Sequence, residues 1–144
     1  RLLENNQTLE ADEVLQIVLA KTKETYLYEY GIRINYVLQK TEKINYYIAE
    51  LGKLALDDST KKSYLYYKVL AMLDQNADLG ETETVLDELL ALDRFNPKYY
   101  YLLGRIEFEQ GNSDASTEAL KKSIEYDLEY SITEDATRLL SNIK

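Results

Sequence analysis

Apolar residues recur along most of this chain at spacings of three and four, the pattern of amphipathic helices. The stripe is clearest after residue 40, where one helix face would carry apolar side chains from Ile44 to Ala55. Comparable stripes extend over Leu65–Leu73, Val85–Leu90 and Ala119–Tyr126. The pattern therefore predicts a series of helices, and polar turn-forming residues between the stripes set their limits.

The two ends of the chain follow the same pattern. Thr8 is a candidate cap for a leading helix of about residues 9–21, whose apolar face would contain Val14 and Val18. Near the other end, Ser131 and Glu134 have the spacing of a capping box. They predict a final capping helix of about residues 132–143.

The segment from Tyr26 to Tyr36 fits two interpretations. Every second residue is apolar, which is typical of a strand, yet Leu27, Tyr30 and Ile34 also fit one helix face. We favour the helix, because the segments downstream are helical and a lone strand would have no partner.

Turn signals divide the rest of the chain into hairpins. They occur at residues 57–60, 76–80 and 111–114, and Asn96-Pro97 is a strong helix start because Asn caps and Pro suits the first helical position. With the two end helices they predict eight helices, six of them in three hairpins of about residues 25–60, 63–96 and 97–130. The predicted fold class is all-α.

The hairpins repeat one another in sequence. Tyr26 and Tyr28 recur as Tyr64 and Tyr66 after 38 residues, and Tyr66 recurs as Tyr100 after 34. A self-similar period of this length is typical of a solenoid built from helical hairpins.

The third hairpin, residues 97–130, resembles a tetratricopeptide repeat. The resemblance rests on Tyr100, on Leu103-Gly104, on Gly111 and on the stretch from Ala119 to Asp127. Gly104 would let two helices approach closely, and Gly111 would accept a left-handed turn. The second hairpin matches less fully and the first more loosely. The resemblance implies a single domain over residues 1–144, a right-handed α-solenoid of about three such hairpins with a leading and a trailing helix.

Composition excludes several kinds of chemistry. The chain has no Cys and no His, which removes disulfides, thiolate catalysis, and the commonest general base and metal ligand. Its carboxylates, among them Glu83 and Asp87, are expected on solvated outer helix faces. We therefore expect no enzyme activity, no cofactor and no metal site.

The formal charge of −9 limits the partners. Such a chain repels nucleic acid, and no apolar run approaches the length of a membrane span, so we expect neither nucleic-acid binding nor membrane insertion. The sequence does not fix a compartment. The cytoplasm is slightly favoured. The cell envelope remains an alternative location if a signal upstream of Arg1 has been removed.

The resemblance also implies a binding surface, because the first helix of each tetratricopeptide hairpin lines a concave groove. Carried onto this sequence, the groove would be rich in tyrosine, and its cations would outnumber its carboxylates. Tyrosine offers a broad contact area at low entropic cost, and Arg and Lys pair with carboxylates. The predicted groove residues are Tyr26, Tyr30, Arg33, Tyr64, Tyr67, Lys68, Lys98, Tyr101, Arg105 and Phe108.

These features predict a non-catalytic scaffold that binds a peptide segment or a helix of a partner protein in the groove. Two alternatives remain open. The chain could be a peptide-sensing regulatory module of a larger protein, or an assembly or accessory factor of the cell envelope.

Overall fold

The computed structural model describes residues 2–143, and this part of the chain contains helices and no strand. The all-α fold class is thus confirmed. The helices are α1 (Leu2–Leu19), α2 (Thr25–Val37), α3 (Thr41–Lys53), α4 (Asp58–Asp74), α5 (Leu79–Leu92), α6 (Pro97–Glu109), α7 (Ser113–Tyr126) and α8 (Thr133–Ser141).

The helices form two compact units, one ending at Ala71 and the other starting at Met72. In the first unit α2 packs on α1 and, more extensively, on α3. In the second unit α6 packs on α5 and most extensively on α7, and α7 also packs on α8. Neighbours in sequence are thus neighbours in space, as in helical-hairpin repeats. The boundary lies inside α4, so the predicted hairpin 63–96 is divided between the units.

Most helix limits follow the local signals. The ambiguous segment is helical, as α2. Asn96 accepts a hydrogen bond from the Lys98 amide at 3.0 Å and begins α6, and Asp57 does the same for Thr60 at the start of α4. One limit was predicted wrongly. The first helix begins at Leu2, so Thr8 lies within it rather than at its cap, because leucine, glutamate and glutamine in this segment are good helix formers.

The core of the first unit is built around tyrosine rings and glycines. Its buried residues come from α1, α2, α3 and α4: Leu15, Tyr28, Ile32, Ile44, Tyr47, Ile48, Leu51 and Ala71. A Cβ atom on Gly31 would lie 2.8 Å from the Tyr47 ring, and one on Gly52 would lie 2.6 Å from Tyr64. Each glycine therefore makes room for an aromatic ring of a following helix.

In the second unit a glycine brings α6 and α7 together. A Cβ atom on Gly104 would lie 2.5 Å from Leu120 Cδ2, and Leu120 is fully buried. Two α7 serines strengthen the same contact, because Ser116 donates to the Gly104 carbonyl at 2.7 Å and Ser123 to the Pro97 carbonyl at 2.8 Å. The predicted close approach at Gly104 is confirmed. So is the left-handed turn at Gly111, where φ is +83°.

One carboxylate joins α7 to α8. Asp127 accepts hydrogen bonds from the amides of Ser131, Ile132 and Thr133 and from two of their hydroxyl groups, at 2.8–3.1 Å. The predicted capping box of Ser131 and Glu134 is therefore wrong, since the α8 amides bind the carboxylate that follows α7. Burial opposes the charge of Asp127, but these hydrogen bonds outweigh it and lower the pKa of the carboxyl group.

Candidate functional site

Six of the predicted groove residues lie in the first unit, on helices α2 and α4. We call this set the α2–α4 face: Tyr26, Tyr30, Arg33, Tyr64, Tyr67 and Lys68. Tyr26 and Tyr30 are each 54% exposed, and their rings meet edge to face with centroids 6.5 Å apart. Tyr28, between them in sequence, points the other way and is buried. The pair therefore offers solvent an aromatic surface that the core does not use.

The cations of this face are held by tyrosines. The Arg33 Nε atom donates to the Tyr67 hydroxyl at 3.0 Å, and this bond raises the pKa of the guanidinium above its usual range. The Lys68 ammonium lies 5.7 Å from the centre of the Tyr64 ring. Among the described residues neither cation has a carboxylate within ion-pair distance. Both charges can therefore meet a carboxylate of a partner.

The other four predicted residues lie on α6 in the second unit. We call this set the α6 face: Lys98, Tyr101, Arg105 and Phe108. Lys98 and Phe108 are exposed and the two between them are half-buried. The opposite side of α6 is buried and contains Tyr99, Leu102 and Ile106. The α6 face thus combines two cations with two aromatic rings, whereas the α2–α4 face combines two cations with four.

Sequence reasoning missed a buried polar cluster in the first unit. Asp12 of α1 is 2% exposed and accepts hydrogen bonds from Lys43 at 2.5 Å, Asn35 at 3.0 Å and Gln16 at 3.1 Å. Burial opposes its ionisation, but these bonds outweigh the burial and lower its pKa. No local signal marks the cluster, because Asp12 lies 23 residues from Asn35 and 31 from Lys43.

Two carboxylates of the second unit, Glu107 and Glu83, depart from the prediction of solvated outer faces, whereas Asp87 beside them is exposed as predicted. Glu107 is 8% exposed and accepts a bond from Asn112 at 2.8 Å. Glu83 hydrogen-bonds to Glu107, which raises the pKa of Glu83, and partial burial beside Glu107 raises the pKa of Asp87. Within the described range, no group of acidic side chains has the arrangement needed to hold a metal ion. The cluster is thus a like-charge contact between α5 and α6.

No protein-family model matches the chain, and no curated protein matches it. Across the described residues, no helix combines the length and the apolar character that a membrane crossing requires.

Proposed function

We propose that this chain is a non-catalytic interaction module, built from tetratricopeptide-like hairpins, that binds a segment of a partner protein on the α2–α4 face. The segment is an extended peptide or one helix. We also propose that the hairpins are arranged as a right-handed superhelix.

The packing of α6 and α7 supports the tetratricopeptide-like part of the proposal. Gly104 permits a close approach to Leu120, and Tyr100 contacts Tyr126 with ring centres 5.5 Å apart. These residues are among those that carry the resemblance. Ser116 and Ser123 replace small apolar residues of the repeat, and their hydrogen bonds to the α6 carbonyls keep the close contact.

The single observation that carries the binding proposal is the exposed tyrosine pair beside two cations. In a chain of charge −9, Arg33 and Lys68 have no carboxylate at ion-pair distance in the part of the chain that the structure describes, while Tyr26 and Tyr30 leave half of their surface exposed. Tyr67 and Tyr64 position the cations before a partner arrives, which reduces the entropic cost of binding. The preferred segment therefore has carboxylates for the cations and apolar side chains for the rings.

The tyrosine part of the proposal is tested with a displayed peptide library. Peptides selected on the wild-type protein are measured against the double variant Tyr26→Ala/Tyr30→Ala. We expect affinity to fall roughly tenfold or more, because tyrosines at interfaces commonly dominate binding. The matched control is Tyr130→Ala, which removes another exposed tyrosine outside the face. Equal binding by the double variant would contradict the assignment.

The role of the two cations in peptide binding is tested with a second pair of variants. Arg33→Glu/Lys68→Glu should weaken acidic peptides most at low salt, because screening shortens the reach of exposed charges. Lys121→Glu, an exposed cation on α7, should leave affinity unchanged. If binding instead survives these changes and is lost on altering Glu83, Asp87 and Glu118, the partner is basic and binds another surface.

A further inference from the structure

A cavity of about 550 Å³ opens between α1, the start of α2 and α3 in the first unit. Its lining residues combine aromatic, cationic and polar groups: Gln16, Leu19, Ala20, Lys23, Tyr28, Lys43, Tyr46, Tyr47 and Glu50. Sites for small molecules have volumes of roughly 300–1,000 Å³ and a few polar groups that converge on an apolar space. The cavity has both properties.

Three tyrosines supply the flat walls of this cavity. The rings of Tyr28 and Tyr47 are buried and meet edge to face with centroids 6.3 Å apart, and Tyr46 lies at the mouth, 59% exposed. Burial raises the pKa of Tyr28, and it raises the pKa of Tyr47 to about 12. Both phenols therefore stay protonated near neutral pH.

The lining residues include two cations and one carboxylate. Lys23 and Lys43 are cationic, and the one carboxylate among them, Glu50, is paired with Lys53 at 2.6 Å. Lys43 is likewise paired with Asp12, which compensates its charge, but its ammonium group has three donors and can give another to a ligand. Among the described residues, Lys23 has no carboxylate within ion-pair distance. Lys23 is therefore the cation of this lining whose charge is free for an anion.

The floor of the cavity is fixed before a ligand binds. Asp12 holds both Lys43 and Gln16, and Asn35 connects Asp12 to the Gly31 carbonyl, to which it donates at 2.7 Å. The Tyr47 ring lies on Gly31 itself. Polar groups fixed in this way need little reorganisation when a ligand binds, which is a property of preorganised binding sites.

We propose that this cavity binds a small organic anion with a planar ring, the ring against the tyrosines and the carboxylate toward Lys23 and Lys43. The cavity and the α2–α4 face use opposite sides of α2, since Tyr28 points into the core and Tyr26 and Tyr30 point to solvent. The proposal is therefore independent of peptide binding.

The test compares two probes of one shape and opposite charge, 2-naphthoate and 2-naphthylmethylamine, by titration of the ¹⁵N-labelled full chain. We expect naphthoate to shift the amide signals of residues 16–28 and 43–50 in a saturable manner, and the amine to leave them unchanged. Lys23→Glu should weaken naphthoate about fivefold or more, as expected for reversal of an exposed charge. Lys21→Glu changes a nearby exposed lysine outside the lining and should leave the affinity for naphthoate unchanged.

A third variant separates the ring contact from the charge. Tyr46→Ala removes an exposed wall residue and should weaken naphthoate without lowering the melting temperature. Equal shifts from both probes, no saturable shift, or equal affinities of wild type and Lys23→Glu would each overturn the proposal. Unfolding cannot explain these outcomes, because the dispersed spectrum of each variant reports its fold in the same titration.

Discussion

Asp12 and Glu83 show how neighbouring side chains decide whether a carboxylate stabilises this protein in its charged form. Asp12 is enclosed, but Lys43, Asn35 and Gln16 donate to it, and its ionised form is favoured. Glu83 meets the carboxylate of Glu107, with Asp87 close by, and its protonated form is favoured. The charged Asp12 therefore stabilises the folded state at neutral pH, whereas the charged Glu83 destabilises it.

Replacing Glu83 by Gln should stabilise the protein at pH 7 by about 0.5 kcal/mol, a small gain because solvent screens a half-exposed charge. A raised pKa means that the folded state holds the proton more tightly than the unfolded chain. The stability that this proton contributes is therefore lost from the wild type as pH rises from the ordinary glutamate pKa of about 4.3 through the raised pKa of the folded state, and the variant lacks this loss. Below that pH the gain should vanish. Urea denaturation at pH 7 and at pH 4 measures the free energy of unfolding of the wild type and of the variant.

The control for this variant is Glu88→Gln, which changes an exposed carboxylate of the same helix and should have no comparable effect. A Glu83→Gln gain that persists at pH 4, or a loss at pH 7, would mean that the contact with Glu107 is not repulsive.

At the scale of helices, close approach at a glycine recurs in both units. Tyr47 lies on Gly31, Tyr64 on Gly52, and Leu120 on Gly104. In each case a side chain of a following helix occupies the place of a Cβ atom. The helices can therefore pack closely only while these three positions lack a side chain.

Gly104→Ala should destabilise the protein by about 1–3 kcal/mol, because the new methyl group would overlap Leu120 and force α6 and α7 apart. Thermal or urea unfolding measures the loss. Gly80→Ala is the matched control, since a Cβ atom there meets only the Asp78 side chain, at 3.1 Å, and alanine favours helix. Adding Leu120→Val should recover part of the loss. A neutral Gly104→Ala would disprove the close contact.

The helices could be predicted largely from sequence because their signals are local. Asn96-Pro97, Asp57 and Gly111 act within a few residues, so each turn was found where the structure has it. The repeated tyrosines were harder to place, because Tyr28 is buried while its counterparts Tyr66 and Tyr100 are half-buried. The Asp12 cluster and the cavity beside Tyr47 could not be predicted, since they join residues far apart in sequence whose distances depend on how the helices pack.

At the scale of the molecule, the net charge gives an expectation about nucleic acid as a partner. The net charge of −9 and the excess of acidic groups predict repulsion from DNA phosphates. The cations of the α2–α4 face are local exceptions, too few to bind a phosphate backbone.

We accordingly expect no complex with a 30-base-pair duplex at about 10 µM protein and physiological salt, a range in which nonspecific DNA-binding proteins do bind. Fluorescence anisotropy of a labelled duplex measures this, with a basic protein as positive control. Binding that weakens steeply with added salt would contradict the expectation and would indicate a phosphate-binding surface.

The carboxylate of Asp127 has a consequence for the order in which the chain folds. Its partners lie only four to six residues away, so α8 can begin to form as soon as α7 has ended. Such a step closes a short loop and loses little chain entropy, and local steps of this kind are fast. We therefore expect α8 to be added through contacts with its neighbour α7 alone, as nearest-neighbour contacts suffice in repeat proteins.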